Sequence, residues 1–412
     1  MVHTDRECLT KAGELNHEGT KAQSHKGHTK IIDASLFHSS LPPVALVHDY
    51  LNQQGGAERV VDELHTLYPR APLYTSIYDR DRMPPRYRAW EIHPSFMQHL
   101  PGVMTHHQAY LPLYPAAMAS FNLARYPLIV SSSSAWGKGI RVPARAVHLC
   151  YCHAPMRFAW DYGTYAQREG FGQALTLALQ PTLAALRRWD RAMSTSAHVT
   201  HFIANSRTVA NRIAAIYGRD ATVIYPPVDT ARYAAPPDVP DEPEPFFLLA
   251  SRLVPYKRLD LAVHAANALG VRLEIASDGR GRAALEEIAG PTVRFLGRIS
   301  DEELRDRLAR CTATIFPAED DFGIAQVEAQ AAGRPVVAFG RGGSVETVHD
   351  GVTGVLFGAQ TVESVMDAMR RVQSARWDRT AIATHARRFD AAVFRERMGA
   401  YVTETWERHG QG

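Results

Sequence analysis

Two acidic residues, Asp320 and Glu328, flank a glycine-bearing turn in the second half of the chain. The turn at Gly323 follows a predicted strand and leads into a predicted helix, so its backbone N–H groups can approach a phosphate or a sugar hydroxyl closely. Asp320 is placed to accept hydrogen bonds from sugar hydroxyls, and Glu328 from the vicinal diol of a ribose. The spacing therefore predicts that both acids reach one ligand.

A second loop of this kind carries positive charge. The apolar run Phe246–Ala250 predicts a strand, residues 259–269 predict a helix, and Arg252 and Lys257 lie between them. Ligands of parallel α/β sheets bind beyond the carboxyl ends of the strands. We therefore expect Arg252 and Lys257 to clamp a diphosphate that gains charge as a leaving group.

The sequence pattern in each half of the chain predicts a β-sheet that would carry these loops. Short apolar, β-branched runs alternate with longer amphipathic segments, which is typical of βαβ units and a parallel sheet. The predicted fold class is α/β, with two Rossmann-like doubly wound sheets that face each other across a cleft. The runs that predict strands begin at Val44, Leu128, Val147, His201 and Thr222 in the first half, and at Phe246, Arg272, Thr292, Ala313 and Pro335 in the second.

The order of these runs also predicts the domain boundaries. Residues 1–40 are polar, without apolar periodicity, and predict a disordered extension. Residues 41–230 predict the first Rossmann-like domain, and the proline-rich acidic stretch 231–245 predicts a linker. Residues 246–385 predict the second domain, and 386–412 a C-terminal helix that packs back on the first.

Composition narrows the class of protein. The chain has 412 residues, of which 45% are hydrophobic and 22% charged, values that are ordinary for a globular protein. A formal net charge of +3 does not indicate a nucleic-acid partner. No apolar run approaches the roughly 20 residues of a membrane helix, and we expect a cytoplasmic protein. The four cysteines, Cys8, Cys150, Cys152 and Cys311, suggest neither a disulfide framework nor a zinc site.

Positive charge is concentrated between Arg80 and Arg145. Aromatic residues are interleaved with these cations, and this combination suits an anionic membrane surface as well as it suits a solvated basic face. We expect this segment to contact the inner face of the plasma membrane peripherally. Its cations are Arg80, Arg82, Arg86, Arg88, Arg125, Lys138, Arg141 and Arg145, and its rings are Tyr87, Trp90, Phe96, Tyr110, Tyr114 and Trp136.

The two loops and several other segments, in this order, resemble family 4 glycosyltransferases of GT-B fold. The acidic loop Asp320–Glu328 resembles the acid, seven residues, acid signature of that family, and Ser251–Arg258 resembles its donor-diphosphate loop. The resemblance covers roughly residues 44–357. Other matching segments are Gly55–Glu58, Tyr151–Asp161, Ala204–Arg207, Phe295–Arg298 and Gly342–Thr347.

This resemblance implies a retaining, metal-independent transferase without a cofactor, whose substrates are a nucleotide sugar and a glycan acceptor. The sequence is most similar to a mannosyltransferase branch that uses GDP-mannose and builds lipid-linked O-antigen or exopolysaccharide units. The first domain then binds the acceptor and the second binds the donor. The resemblance implies catalytic roles for His153, Arg252, Lys257 and Asp320, donor contacts at Gly55, Gly56, Arg252, Lys257, Phe322, Gly323, Ile324 and Glu328, and acceptor contacts at Arg157, Trp160 and Asp161.

Two positions depart from the family pattern. Asp320 stands where glutamate is usual, and the loop Ser277–Gly281 lacks a glycine before Asp278. A UDP-sugar or GDP-rhamnose donor is the alternative within the same fold. A nucleotide-sugar epimerase or NAD-dependent enzyme is less favoured, because the first predicted strand is followed by Gly55 and Gly56 but not by Gly-x-Gly-x-x-Gly. A non-catalytic scaffold is a third alternative.

Overall fold

The computed structural model describes residues 41–162, 173–236, 239 and 244–410. These residues form two parallel β-sheets, one of seven strands and one of six. The predicted fold class, an α/β protein with two doubly wound sheets, is confirmed. The extension predicted over residues 1–40 lies outside the described residues, as do 237, 238 and 240–243 of the predicted linker.

The first sheet has the strand order β3-β2-β1-β4-β5-β6-β7. Successive strands are added on one side of β1 up to β3 and on its other side from β4 onward. The loops that follow β1 and β4 therefore diverge and leave a crevice at the carboxyl ends of these two strands. The strands are β1 (Val44–His48), β2 (Leu73–Thr75), β3 (Ile92–Pro94), β4 (Leu128–Ser133), β5 (Val147–Cys152), β6 (His201–Ala204) and β7 (Ala221–Val223).

The second sheet repeats this plan with the order β10-β9-β8-β11-β12-β13. Its reversal lies between β8 and β11, the two strands that precede the predicted basic and acidic loops. Both loops therefore start from neighbouring strand ends. The strands are β8 (Phe246–Leu249), β9 (Arg272–Ile275), β10 (Val293–Phe295), β11 (Ala313–Phe316), β12 (Val336–Phe339) and β13 (Gly354–Phe357).

Helices connect the strands. In the first lobe they are α1 (Gly56–Leu67), α2 (Val103–His106), α3 (Tyr114–Ala119), α4 (Arg157–Trp160), α5 (Gln173–Ala192) and α6 (Arg207–Tyr217). They continue as α7 (Thr230–Tyr233), α8 (Leu259–Leu269), α9 (Arg282–Ile288), α10 (Asp301–Arg310), α11 (Ile324–Ala331), α12 (Ser344–Thr347), α13 (Val362–Ser374), α14 (Arg379–Ala386) and α15 (Ala391–Gly410). Short 3-10 helices span Pro85–Ala89, Phe96–His99, His107–Leu113, Gly137–Gly139, Pro255–Lys257 and Arg387–Phe389.

Apolar faces of these helices cover both sheets. Val60 and Leu64 of α1 pack against the first sheet, and Phe394 and Met398 of the last helix, α15, join the same buried cluster. Helices α8 and α13 cover the second sheet with buried alanine, valine and methionine side chains. The C-terminal helix thus contacts the core of the first lobe although it follows the second lobe in sequence.

Three strands and one helix were not expected from the sequence pattern. The strands β2, β3 and β13 have only 3, 3 and 4 residues, although the equally short β7 and β10 are predicted from the sequence. Helix α7 begins one residue before the predicted linker. The Asp229 side chain accepts from the Arg232 N–H and caps this helix, which packs on α11 of the second lobe.

Candidate active site

The acidic loop between β11 and α11 forms a turn that only glycine fits well. Gly323 has φ of +97°, in the left-handed region, and a Cβ there would lie 2.7 Å from the Gln326 side chain. Phe322 is buried against Tyr225 and Phe389, which anchors the turn. The first N–H groups of a helix have no partner within it, so the turn before Ile324 presents donors to an anion.

The basic loop after β8 lies beside this turn. Lys257 forms an ion pair with Asp320, and the two side chains are only 17% and 15% exposed. Arg252 is exposed, and its guanidinium donates to the Tyr256 hydroxyl at 3.3 Å. The structure thus brings the predicted diphosphate cations and the predicted sugar-binding acid to one edge of the second sheet.

The glycines after β9 support the basic loop from behind. The Gly281 N–H donates to the Leu253 carbonyl at 2.8 Å, and a Cβ at Gly279 would lie 2.5 Å from that same carbonyl oxygen. These glycines are therefore needed for close backbone packing against the loop that carries Arg252.

Glu328 lies in the middle of α11 and is bound from the opposite lobe. Its Oε1 is 2.5 Å from Arg59 Nη1 of α1. Burial, with the charge of Glu328, raises the pKa of the neighbouring Tyr233 hydroxyl to about 12. A ribose diol that binds Glu328 would share or replace the contact with Arg59.

The first-lobe glycine loop approaches the same turn. A Cβ at Gly56, the first residue of α1, would lie 2.8 Å from Ile324 Cδ1. A Cβ at Gly55 would lie 3.2 Å from Glu58 Oε2. Gly56 and Ile324, both predicted donor contacts, are therefore neighbours across the cleft, and a larger side chain at Gly56 would press on the second lobe.

His153 follows β5 and is held by three hydrogen bonds. Its N–H donates to the Ser133 carbonyl at 2.9 Å, its carbonyl accepts from Asn205 Nδ2 at 2.9 Å, and its Nε2 lies 2.8 Å from Ser132 Oγ. Burial and the positive charge of His48 lower the pKa of His153 to about 4. The imidazole is therefore neutral at physiological pH.

A cavity of about 560 Å³ lies between the lobes. His153, Arg157 and Asp161 line it from the first lobe, and Arg252 and Asp321 line it from the second. Its remaining wall is mainly apolar and includes Leu111, Trp136, Phe158, Leu179, Leu183 and Leu186. The cavity lining therefore combines charged side chains with a larger number of hydrophobic and aromatic ones.

The predicted acceptor residues occupy different places. Arg157 spans the cleft, with its Nη1 3.2 Å from Asp321 Oδ2. Asp161 is exposed at the cavity. The Trp160 indole donates to the buried carboxylate of Asp190 at 2.7 Å, and Trp160 is not part of the cavity lining.

Comparison with known proteins finds a glycosyltransferase profile for each lobe. Residues 54–232 match the sequence profile described as Glycosyltransferase Family 4. Residues 244–374 match the profile described as Glycosyl transferases group 1. Each lobe is therefore similar to glycosyltransferases over the matched residues.

Individual relatives match shorter parts of the chain. It is 39% identical to the D-inositol 3-phosphate glycosyltransferase of a Nocardioides species over 100 residues, 24% of this chain and 20% of that protein. It is 36% identical to the glycogen synthase of Pseudomonas syringae pv. tomato over 142 residues, 31% of this chain and 28% of that protein. The chain thus spans less than a third of the length of either relative.

Solved structures agree on the fold. The crystal structure of HepE from Anabaena in complex with UDP and glucose aligns with a TM-score of 0.66 over 88% of this chain and 100% of that chain, at 19% identity. This similarity supports the GT-B fold that the resemblance implied.

Sequence reasoning missed several charged residues of this glycosyltransferase's cleft. Arg212 on α6 forms ion pairs with Glu319 and Asp321 of the acidic loop, and Arg59 binds Glu328. Asp49, directly after β1, accepts from four consecutive backbone N–H groups, Ser134 to Gly137. Only Asp49 gave a local signal, because it is a polar residue at a predicted strand end.

The structure corrects the interpretation of the basic segment. Lys138 is 1% exposed and forms an ion pair with Asp190 at 2.6 Å, so it cannot face a membrane. The rings of Tyr87, Tyr114 and Trp136 are also buried, so they cannot face a membrane either. The seven arginines of the segment are exposed, and of its rings only Phe96, at 45%, is largely exposed.

Other expectations concern metals, membrane helices and thiols. No cluster of three or more metal-ligating side chains is found within the described residues. No helix in the described part of the chain is sufficiently long and apolar to cross a bilayer. Cys150, Cys152 and Cys311 are buried free thiols, whereas Cys8 lies outside the described residues.

Proposed function

We propose that this protein is a family 4 glycosyltransferase, which transfers a hexosyl group from a nucleoside diphosphate sugar to a glycan acceptor with retention of the anomeric configuration. One observation carries the proposal. The interlobe cavity is lined by His153 and Arg157 from the first lobe and by Arg252 from the second, next to the Lys257–Asp320 pair. A donor bound at the second lobe would have its sugar directed toward an acceptor in this cavity.

The donor is expected to bind mainly to the second lobe. Arg252 and Lys257 supply positive charge for the diphosphate, and the N–H groups before Ile324 supply further donors. Glu328 accepts from the ribose diol. These groups provide the charge that a metal ion would otherwise supply, so binding without metal is part of the proposal.

The proposed reaction proceeds on one face of the sugar. The acceptor hydroxyl oxygen forms a bond to the anomeric carbon as the bond from that carbon to the leaving phosphate breaks. The hydroxyl proton passes to an oxygen of the departing diphosphate. Catalysis then consists of positioning and of stabilising charge at Arg252 and Lys257, with His153 contacting the transferred sugar.

The acceptor we propose is a lipid-linked glycan. The cavity supports this choice because its charged side chains suit phosphate and sugar groups, whereas Leu179, Leu183 and Leu186 of α5 add apolar lining that suits a lipid. Exposed arginines of the segment 80–145 suit an anionic lipid surface. We therefore propose peripheral attachment to the cytoplasmic face of the plasma membrane, with 41–230 binding the acceptor and 246–385 binding the donor.

GDP-mannose is the donor we propose, because the Arg252–Arg258 loop and the acidic loop resemble the mannosyltransferase branch. A UDP-sugar is the second candidate, favoured by the UDP and glucose bound to HepE. Calorimetric titration with GDP, UDP and ADP in the presence of EDTA separates these possibilities. Tighter binding of UDP than of GDP would refute the GDP assignment, and binding abolished by EDTA would refute the metal-free clamp.

A further inference from the structure

The carboxyl ends of three adjacent strands place polar side chains in a row beneath the cleft. His48 ends β1, its register partner Ser132 lies on β4, and His153 follows the neighbouring strand β5. Glu58 of α1 reaches the same row from the other side. Apart from His153, these side chains are almost fully buried, with residue exposures of 3%, 1% and 2% for His48, Ser132 and Glu58.

The contacts along the row are continuous. Glu58 Oε1 lies 3.6 Å from His48 Nε2. His48 Nδ1 lies 2.9 Å from the Ser132 carbonyl oxygen and 3.2 Å from Ser132 Oγ. Ser132 Oγ lies 2.8 Å from His153 Nε2.

The chemistry of these groups determines where each proton lies. A carbonyl oxygen only accepts hydrogen bonds, so His48 Nδ1 must carry a proton. That proton also faces Ser132 Oγ, which leaves the hydroxyl proton free to point at His153 Nε2. His153 Nε2 is then an acceptor, and the single proton of the neutral ring resides on Nδ1.

Electrostatics agree with this assignment. Burial acts to lower the pKa of His48, but its hydrogen bond to Glu58 and the charges of Glu58 and Asp49 outweigh burial, so the net shift is upward. The pKa of His153 is lowered by burial and by the charge of His48, against the opposing charges of Asp49 and Glu58. The two pKa shifts are thus opposite in direction, upward for His48 and downward for His153.

We propose that His48 and Ser132, with Glu58 holding the His48 ring, are positioning residues that fix His153 as the Nδ1–H tautomer. His153 then offers an N–H donor, not a basic nitrogen, to the cavity that it lines. The role we give this N–H group, a hydrogen bond to an oxygen of the transferred sugar, rests on the proposed function. The tautomer itself does not depend on activity.

Nitrogen-15 NMR of the full chain with labelled histidine tests the proposal directly. Long-range proton–nitrogen spectra distinguish the two tautomers, and a His153→Gln variant identifies the His153 signals. Between pH 6 and 8 we expect a roughly tenfold or greater excess of the Nδ1–H form, because in the other form the Ser132 hydroxyl would accept from both rings and its own proton would lose His153 Nε2 as acceptor. A wild-type ring protonated mainly on Nε2 would overturn the proposal.

Two matched variants separate positioning from a general effect on the fold. Ser132→Ala is expected to reduce the Nδ1–H excess to a mixture of tautomers. Ser131→Ala removes the adjacent hydroxyl, which contacts His148 Nε2 at 2.8 Å, and should leave the His153 signals unchanged. An unchanged excess in Ser132→Ala would overturn the role of Ser132. If the tautomer is as expected but no sugar nucleotide is consumed, the inference stands and the proposed function fails.

Discussion

Replacement of Lys257 by alanine should lower turnover by on the order of 10²–10³, the cost of removing one donor from a developing anion in a dry site. The structure adds a second penalty. Asp320 is 15% exposed and is paired with Lys257, so the alanine variant leaves a mostly buried carboxylate beside the diphosphate. That carboxylate would repel the leaving group that Lys257 normally stabilises.

A double-mutant cycle measures this coupling. Asp320→Asn keeps the shape of the side chain but removes its charge, so the double variant Lys257→Ala/Asp320→Asn should exceed the product of the two single activities by roughly tenfold, or about 1.4 kcal/mol. Lys257→Arg keeps the charge but changes reach and geometry, and should retain more turnover than Lys257→Ala.

Release of nucleoside diphosphate in a single turnover, at saturating donor, is the appropriate assay. The exposed Arg376 lies on the loop between α13 and α14 and does not line the cavity, so Arg376→Ala serves as the control and should be fully active. Near-normal turnover in Lys257→Ala would refute the proposed role of Lys257 in binding the diphosphate. Multiplicative effects of the two substitutions would show that Lys257 and Asp320 act independently.

Three further outcomes follow from the structure. Glu328→Gln should weaken donor binding by roughly 1.5–3 kcal/mol, measured by calorimetry, because the charge-assisted acceptor is lost; an unchanged Kd would move the ribose contact elsewhere. Burial lowers the pKa of His148 to about 4 from 6.5. As pH falls from 7 toward 4, His148 therefore becomes protonated in the unfolded chain while it stays largely neutral in the folded chain. The free energy of unfolding should consequently decrease by about 3 kcal/mol because of this group. The fall in thermal midpoint between pH 7 and 5 should be smaller in His148→Gln, and an equal fall would contradict this origin. Vesicles with anionic lipid should sediment the protein in a salt-dependent way, and equal binding to neutral vesicles would argue against the exposed arginines as the contact.

The donor-side elements could be predicted from local sequence because parallel sheets bind ligands at their strand ends. The basic loop after β8 and the acidic loop before α11 each combine a strand, a glycine or charged turn and a helix within a few residues. Both loops are predicted at strand ends, and the sheet order shows in addition that these strands, β8 and β11, are neighbours.

Partners distant in sequence could not be predicted in this way. Arg59 and Glu328 are separated by 269 positions, and nothing near either residue indicates the other. The same limitation explains the error at Lys138, which was counted with exposed cations because its buried partner Asp190 lies on a different helix. The charge of an isolated lysine indicates solvent exposure, whereas the fold supplies the counter-ion that permits its burial.

The central claim is most directly tested by following the sugar. Purified protein would be incubated in EDTA with GDP-mannose or UDP-glucose and a bacterial lipid extract, and mass spectrometry would record released nucleoside diphosphate and hexose gained by the lipid fraction. We predict that GDP is released in step with addition of one hexose to a lipid-linked glycan, and that both are strongly reduced in Lys257→Ala. Failure to consume any sugar nucleotide under these conditions would contradict the proposed transferase activity.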